Sequence, residues 1–545
     1  MNLRVIFFTV ISIFIFCNCS KRADAKGNLS STKDIFIDPV KYWYLKDITL
    51  DSVAGISFEK ASKYLKDEKV KDTVIVSVID TELNVELDMF KDDVWINKDE
   101  IPNNHIDDDK NGYIDDINGW NFLANDKGEY IKFYHFESTR ILKKLNQRLK
   151  NTNDTISALG GQYDIYKKAQ KDYQLELESV KSRQEYGNFL DDNYDKAHNL
   201  ANEYFPNKDY TTKSLDSLYS ALKDSDKEKA NLIYFVSDCI KYEITREWIK
   251  SYQYNTKNMI QRCLNLSHNE REIIGDNAND INDSIYGSYK IFNDLDLSFH
   301  SSQVSAIIVN HNRNKFLKIM PVVISAHGDE HDKDIAMSIR YAVDNGAKII
   351  NMSLGKDLSL HKKWIEDAVK YADSKDVLIV YAAGNEGKNV DNKEDKYYPN
   401  DIDESGIEVT NNFISVGASA KLADENLVAN FSNYNKEHVD IFAPGDSIYM
   451  YSPEGNDYYN IGTSLAAPMV SKTAALIRAY YPSLKASEVK HIIMESGLSY
   501  DIMVNKPSNS REKELVPFSS LSKSGKIVNA YNALLMAEKM FNKKK

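Results

Sequence analysis

Five short β-rich apolar runs constrain this 545-residue chain more than any other feature. They are Thr73 to Ile79, Phe316 to Ser325, Ala347 to Met352, Val377 to Ala382 and Phe413 to Val416. Apolar runs this short, without polar alternation, suit strands covered on both faces. Helical patterns lie between several of them, at Ile335 to Asp344 and Lys362 to Ala372. Strand–helix alternation predicts an α/β chain with a mostly parallel sheet and helices on both faces.

That rhythm breaks from about residue 127 to 264. Pro206 is the one proline in this stretch, and apolar residues recur at helical spacing. Leu142, Leu145 and Leu149 form one stripe; Tyr166, Ala169, Tyr173, Leu177 and Val180 form another. The spacing predicts a mostly helical insertion of two to four long helices packed as hairpins. Cys239 and Cys263 fall inside it, and either a disulfide or two buried thiols fits their surroundings.

The chain opens with Arg4 and an apolar run of twelve residues from Val5 to Phe16. The run is too short to span a bilayer and suits the core of an export signal. Cys17, Cys19, Ser20, Lys21 and Arg22 follow. This arrangement resembles a bacterial lipoprotein signal, with Cys19 as the lipidated first residue. The expected address is the cell envelope, lipid-anchored and facing the periplasm or the cell surface. A net charge of −12 argues against nucleic acid or an anionic membrane surface as the main partner. The expected order is a signal at 1–19, a tether and N-terminal approach at 20–70, a first α/β part at 71–126, the insertion at 127–264, and a second α/β part with C-terminal helices at 265–545.

Four polar residues stand where chemistry is convenient. Asp80 ends a β-run, His300 opens HSSQVSAII, Asn385 lies in AAGNEG directly after the run VLIVY, and Ser464 lies in GTSLAAPMVSKTAAL. Each alone has a plain structural role: a strand-end aspartate, a core histidine, a turn asparagine, an N-cap serine. Glycines around Asn385 allow a tight turn that brings backbone close to a ligand.

Together, the order Asp…His…Asn…Ser with these settings resembles the subtilisin-like (subtilase) serine peptidases. GTSLAAP is close to the family's GTSMAAP, and AAGNEG matches its oxyanion-asparagine segment. INMSLG, holding Ser353, Leu354 and Gly355, resembles the family segment that pairs with substrate backbone, across from Ala383 and Gly384. The stretch IPNNHIDDDKNGYIDDINGWNF looks like that of envelope subtilases of Bacteroidota-type bacteria. The resemblance covers roughly 70–126 and 265–500 and implies a three-layer α/β/α fold that takes peptide or protein substrates. It implies Ser464 as nucleophile, His300 as base, Asp80 as the orienter of His300, and Asn385 with the Ser464 N–H as oxyanion donors.

The sequence departs from the family at three places. Glu82 stands where a glycine is usual, and HSSQV replaces HGTHV, which puts Ser301 and Gln303 at the family's glycine and second histidine. These changes remove no catalytic atom but bear on cleft shape. The 220 residues between Asp80 and His300 place the origin of the insertion near the cleft rim, as passive decoration or as a lid or docking arm with an unknown partner. Asp107, Asp109, Asn111, Asp115 and Asp116 have the alternate-oxygen spacing of a structural Ca²⁺ loop, although Asn118 takes the place of the expected glutamate. A catalytically impaired subtilase fold that binds partners through the insertion is the alternative to an active endopeptidase.

Overall fold

The computed structural model describes residues 41–152, 156–310, 312, 315–390, 396–403, 405–451, 457–508, 510 and 513–544. The signal segment, Cys19 and residues 20–40 of the tether lie outside them. Among the described residues, no helix is long and apolar enough to cross a membrane. They divide into two compact units, residues 138–268 and the remainder.

The larger unit is built on a nine-stranded sheet in the order β10-β13-β7-β6-β5-β4-β1-β3-β2. Its strands are β1 (Val74–Asp80), β2 (Trp120–Asn121), β3 (Leu317–Val323), β4 (Ile349–Met352), β5 (Leu378–Ala382), β6 (Phe413–Ser419), β7 (Ile441–Pro444), β10 (Leu498–Ser499) and β13 (Lys526–Ile527). All neighbours pair in parallel except β10 with β13. β8 (Ile448–Tyr451) and β9 (Asp457–Asn460) form a separate hairpin, as do β11 (Met503–Asn505) and β12 (Leu515–Pro517). Strand side chains alternate between two cores, as a period of two requires. Val74, Val76, Val78, Leu317, Ile319 and Ile349 enter one core; Ile79, Met320, Val322, Ile350 and Met352 enter the other. Burial on both faces is why these strands read as continuous apolar runs.

The chain before β1 is more than an approach to the fold. Trp43, Tyr44 and Leu45 are fully buried in the first core, and the Trp43 indole donates to the Ser447 carbonyl at 3.1 Å. Helices α1 (Ile48–Asp51) and α2 (Phe58–Tyr64) follow, and Phe58 joins the same core. The N-terminal approach is therefore part of the folded unit from Trp43 onward.

The smaller unit is helical: α3 (Glu137–Thr152), α4 (Tyr163–Tyr204), α5 (Thr212–Leu222), α6 (Lys227–Lys241) and α7 (Arg246–Asn258), closed by a π-turn at Met259–Cys263. α5, α6 and α7 are capped by the Thr211, Asp226 and Thr245 side chains, each accepting from the first turn. Leu190, Leu215, Ile233, Val236, Trp248 and Ile249 form its core. Cys239 and Cys263 are both buried and are not joined in a disulfide, which decides between the two readings of that pair. Burial pushes the Cys239 thiol up to about 12. Residues 127–137, read from the sequence as part of the insertion, belong to the larger unit. There Ile131, Phe133 and Tyr134 are buried, and bridges join Ala124 to Tyr130 and Phe133 to His327.

The sheet is covered by α8 (Phe299–Val309), α9 (Asp332–Asp344), α10 (Lys362–Ser374), α11 (Thr463–Tyr480), α12 (Ala486–Ser496) and α13 (Ala530–Lys544). α8, α11, α12 and α13 contribute to the first core, and α9 and α10 to the second. α11 runs through the middle of the unit with Leu465, Ala466, Ala467, Met469 and Val470 buried. Its small residues allow close packing on β4, β5, β6 and α8. Pro468 is the sixth residue of the helix and cannot donate to the Ser464 carbonyl one turn back, which accepts from Ser353 Oγ at 2.9 Å instead.

Candidate active site

Asp80 is the last residue of β1, and His300 is the second residue of α8. His300 Nδ1 lies 2.7 Å from Asp80 Oδ1, which also accepts the Thr81 N–H at 2.7 Å. Paired with a carboxylate, Nδ1 carries the hydrogen and Nε2 becomes the basic nitrogen. Burial by itself would lower the His300 pKa; the charge and hydrogen bond of Asp80, with Glu330 further off, outweigh it and raise the value above 6.5.

The two departures beside this pair have structural work. The Ser301 N–H donates to Thr81 Oγ1 at 3.1 Å, and the Ser301 hydroxyl donates to the Glu82 carbonyl. The Glu82 carboxylate accepts from Asn293 N at 2.6 Å, Asn293 Nδ2 at 2.8 Å and Asp294 N at 2.7 Å. Strand end, helix start and the preceding loop are thus stitched together. Gln303 Nε2 donates to Tyr458 Oη at 2.7 Å, and Gln303 Oε1 accepts from Asn460 Nδ2 at 3.0 Å. The Gln303 amide thus ties α8 to the β8–β9 hairpin through both its donor and its acceptor.

Ser464 is the second residue of α11, and its hydroxyl donates to the Ser353 carbonyl at 3.3 Å. Ser353 Oγ in turn donates to the Ser464 carbonyl at 2.9 Å. Asn351 Nδ2 donates to Ser353 Oγ at 3.0 Å, and Ser471 Oγ donates to Asn351 Oδ1 at 2.8 Å. The end of β4 and the first turns of α11 are therefore locked in register. Asn385 Oδ1 accepts from Thr463 N at 2.8 Å and Thr463 Oγ1 at 3.0 Å, which fixes the amide so that Nδ2 faces elsewhere. Gly462, at φ 151°, leaves a space open: a β-carbon there would lie 3.7 Å from Ser464 N and 3.9 Å from Asn385 Nδ2. Asn385 Oδ1 lies at the same 3.9 Å, and all three atoms stand at the N-terminus of a long helix whose dipole favours negative charge.

A feature invisible in the motifs joins the two helices. Lys472, fully buried, donates from Nζ to the carbonyls of Ile307 and Ile308 at 3.2 Å each and to that of Asn310. These are the unsatisfied carbonyls at the end of α8, the helix of His300. Lys472 also lies over the Phe58 ring at 4.5 Å. Burial pushes its pKa down to about 7, with Asp93 opposing.

In the acidic loop, Glu100, Asp109 and Asp116 bring carboxylate oxygens within 4.8 Å of one another. Asp107 accepts the N–H groups of Asn111 and Gly112, and Asp115 those of Asn104 and His105, so these two shape the loop. Asn111 donates its amide to Asp109 and Asp116. Burial, with Asp109 nearby, pushes Asp116 up to about 7. Glu100 was not legible as a participant because it precedes the alternating run by seven positions. Its oxygens also accept from Asp108, Asp109 and Asp115 N–H groups.

The Subtilase family model of peptidases matches residues 71–518. The cell wall-associated protease of Bacillus subtilis is 33% identical over 214 residues, 37% of this chain and 22% of that protein. The major intracellular serine protease of the same organism is 34% identical over 221 residues, 38% of this chain and 65% of that protein. The chain thus spans less than two thirds of either relative. The prenylagaramide maturation protease PagA is 24% identical with a TM-score of 0.35, covering 44% of this chain and 82% of that one. With the family model matched across both parts of the α/β unit, the chain belongs to the subtilase family.

Proposed function

We propose that this chain is a serine endopeptidase that hydrolyses peptide bonds through an acyl-enzyme. The observation that carries this reading is the 2.7 Å contact of His300 Nδ1 with Asp80, made on the α/β unit that also holds Ser464 and Asn385 at strand and helix ends. In this reading His300 Nε2 takes the Ser464 proton as Oγ attacks the scissile carbonyl carbon. The carbonyl oxygen becomes an oxyanion held by Ser464 N–H and Asn385 Nδ2. His300 then gives the proton to the leaving amine, the C–N bond breaks, and water repeats the sequence to release the acyl group. Asp80 holds the imidazole in its tautomer and stabilises the imidazolium. The substrate backbone lies along Ser353, Leu354 and Gly355 as an added strand, with Ala383 and Gly384 opposite.

A Ca²⁺ ion would be held by Glu100, Asp109 and Asp116, a hard oxygen set suited to it, and would fasten the acidic loop. We infer export and lipidation at Cys19 from the apolar run Val5 to Phe16 and the polar Ser20, Lys21 and Arg22 that follow the cysteine. A fluorophosphonate probe tests the central reading: it should label the wild-type chain at Ser464 and leave Ser464→Ala unlabelled. Folded wild-type protein that resists the probe would favour a binding role instead.

A further inference from the structure

Two glycines face each other beside the reacting serine. Gly355 follows β4 and Gly384 follows β5, and these strands are neighbours in the sheet. Ser464 Oγ lies 3.3 Å from the Ser353 carbonyl, and Asn385 directly follows Gly384. In the peptidase reading the substrate backbone lies along Ser353, Leu354 and Gly355 with Ala383 and Gly384 opposite, so the residue that supplies the scissile carbonyl presents its side chain to the gap between Gly355 and Gly384. In that gap the chain has placed its own rings. A β-carbon on Gly355 would lie 2.4 Å from Tyr397 Cε1 and 2.7 Å from Tyr381 Oη. One on Gly384 would lie 3.0 Å from the same Tyr397 Cε1 and 2.7 Å from Glu386 Oε2. One edge of one ring thus abuts both walls.

Tyr397 is half-buried and packs on the second core, with its ring centroid 6.2 Å from that of Tyr381. Tyr381 is 3% exposed, and its hydroxyl has no hydrogen-bond partner among the described residues. Tyr397 and Tyr381 thus both pack against Gly355, and Tyr397 against Gly384 as well.

We propose that Tyr397 is a specificity-determining residue that limits the substrate residue contributing the scissile carbonyl to glycine, alanine or serine. The inference rests on the peptidase reading and sharpens it to a substrate class. A large side chain could enter only by displacing a packed aromatic ring, and its apolar burial would be lost with it.

The test uses the full chain and needs no known substrate. Peptidyl diphenyl phosphonates carrying an alanine or a phenylalanine side chain at the reactive position are compared for their rate of labelling Ser464, beside a fluorophosphonate without a side chain. The wild type should react at least about tenfold faster with the alanine probe. Tyr397→Ala should shift the phenylalanine-to-alanine ratio upward by about ten- to a hundredfold, while Tyr397→Phe, which keeps the ring, should retain the wild-type ratio. Labelling by the fluorophosphonate reports the folded, reactive fraction of each variant. Equal or faster reaction of the wild type with the phenylalanine probe overturns the proposal, as does a ratio that Tyr397→Ala leaves unchanged. Failure of the fluorophosphonate to label wild type overturns the peptidase reading itself, and this inference with it.

Discussion

His300 Nδ1 and Asp80 Oδ1 meet at 2.7 Å although 220 residues separate them in the chain. The carboxylate favours the imidazolium and so raises the His300 pKa above its ordinary 6.5 against the effect of burial. Only neutral imidazole accepts the Ser464 proton. Activity should therefore rise with pH through a midpoint above 6.5 and be lost below it. Asp80→Asn removes the cause of the upward shift, so the midpoint should move to lower pH, with turnover falling by about 10⁴. Profiles of kcat/KM between pH 5 and 9 for both proteins check this. An unmoved acid limb in Asp80→Asn would contradict the role of the pair.

Ser464→Ala and His300→Ala should each remove most hydrolysis, and the double variant should be hardly worse than either single one. Asn385→Ala should reduce kcat by about 10²–10³ with little change in KM, because its amide acts on charge that develops in the transition state. Steady-state kinetics on one cleaved peptide separate the two parameters. A change in KM alone would argue that Asn385 only binds ground-state substrate.

Millimolar calcium should raise the melting temperature of a Ser464→Ala protein, which cannot digest itself. A ligand at about a hundred times its Kd stabilises the folded state by about 2.7 kcal/mol. Glu100→Gln should remove most of that increment, since it takes one charged ligand out of the acidic triad. Identical melting curves in chelator and in calcium would dismiss the ion.

The sign of the Lys472 effect is opposite to that of His300. Its folded pKa of about 7 lies below the unfolded value near 10.5, so the unfolded chain holds more protons between those values. Its contribution to stability should be fullest above about pH 10.5 and be lost as pH falls toward 7. Lys472→Met keeps most of the apolar stem and takes this donor from the carbonyls of Ile307, Ile308 and Asn310; the neutral amine that prevails at pH 9 has two N–H groups, so the loss there is about 1–3 kcal/mol for each of two carbonyls. In the Ser464→Ala background, this variant should melt earlier at pH 9 and show a flatter rise in stability from pH 7 upward. A slope equal to that of the Lys472 protein would mean that the amine does not titrate in this range.

What the sequence by itself determined is what local pattern encodes. The runs ending at Ile79, Met352 and Ala382 are strands because buried parallel strands need apolar side chains on both faces. Asp80 at a strand end and Ser464 at the start of a small-residue helix were legible for the same reason. β2, β10 and β13 were not, being two residues long and defined by pairing partners rather than by pattern. Glu100, Tyr381, Tyr397 and Lys472 carried no signal either. An isolated glutamate, tyrosine or lysine is ordinary at any surface, and its role depends on which distant backbone comes to lie beside it. Tertiary structure alone decided that Lys472 reaches the end of the His300 helix and that Tyr397 lies between Gly355 and Gly384. Those contacts join residues far apart in sequence, and only close packing of the folded chain sets them.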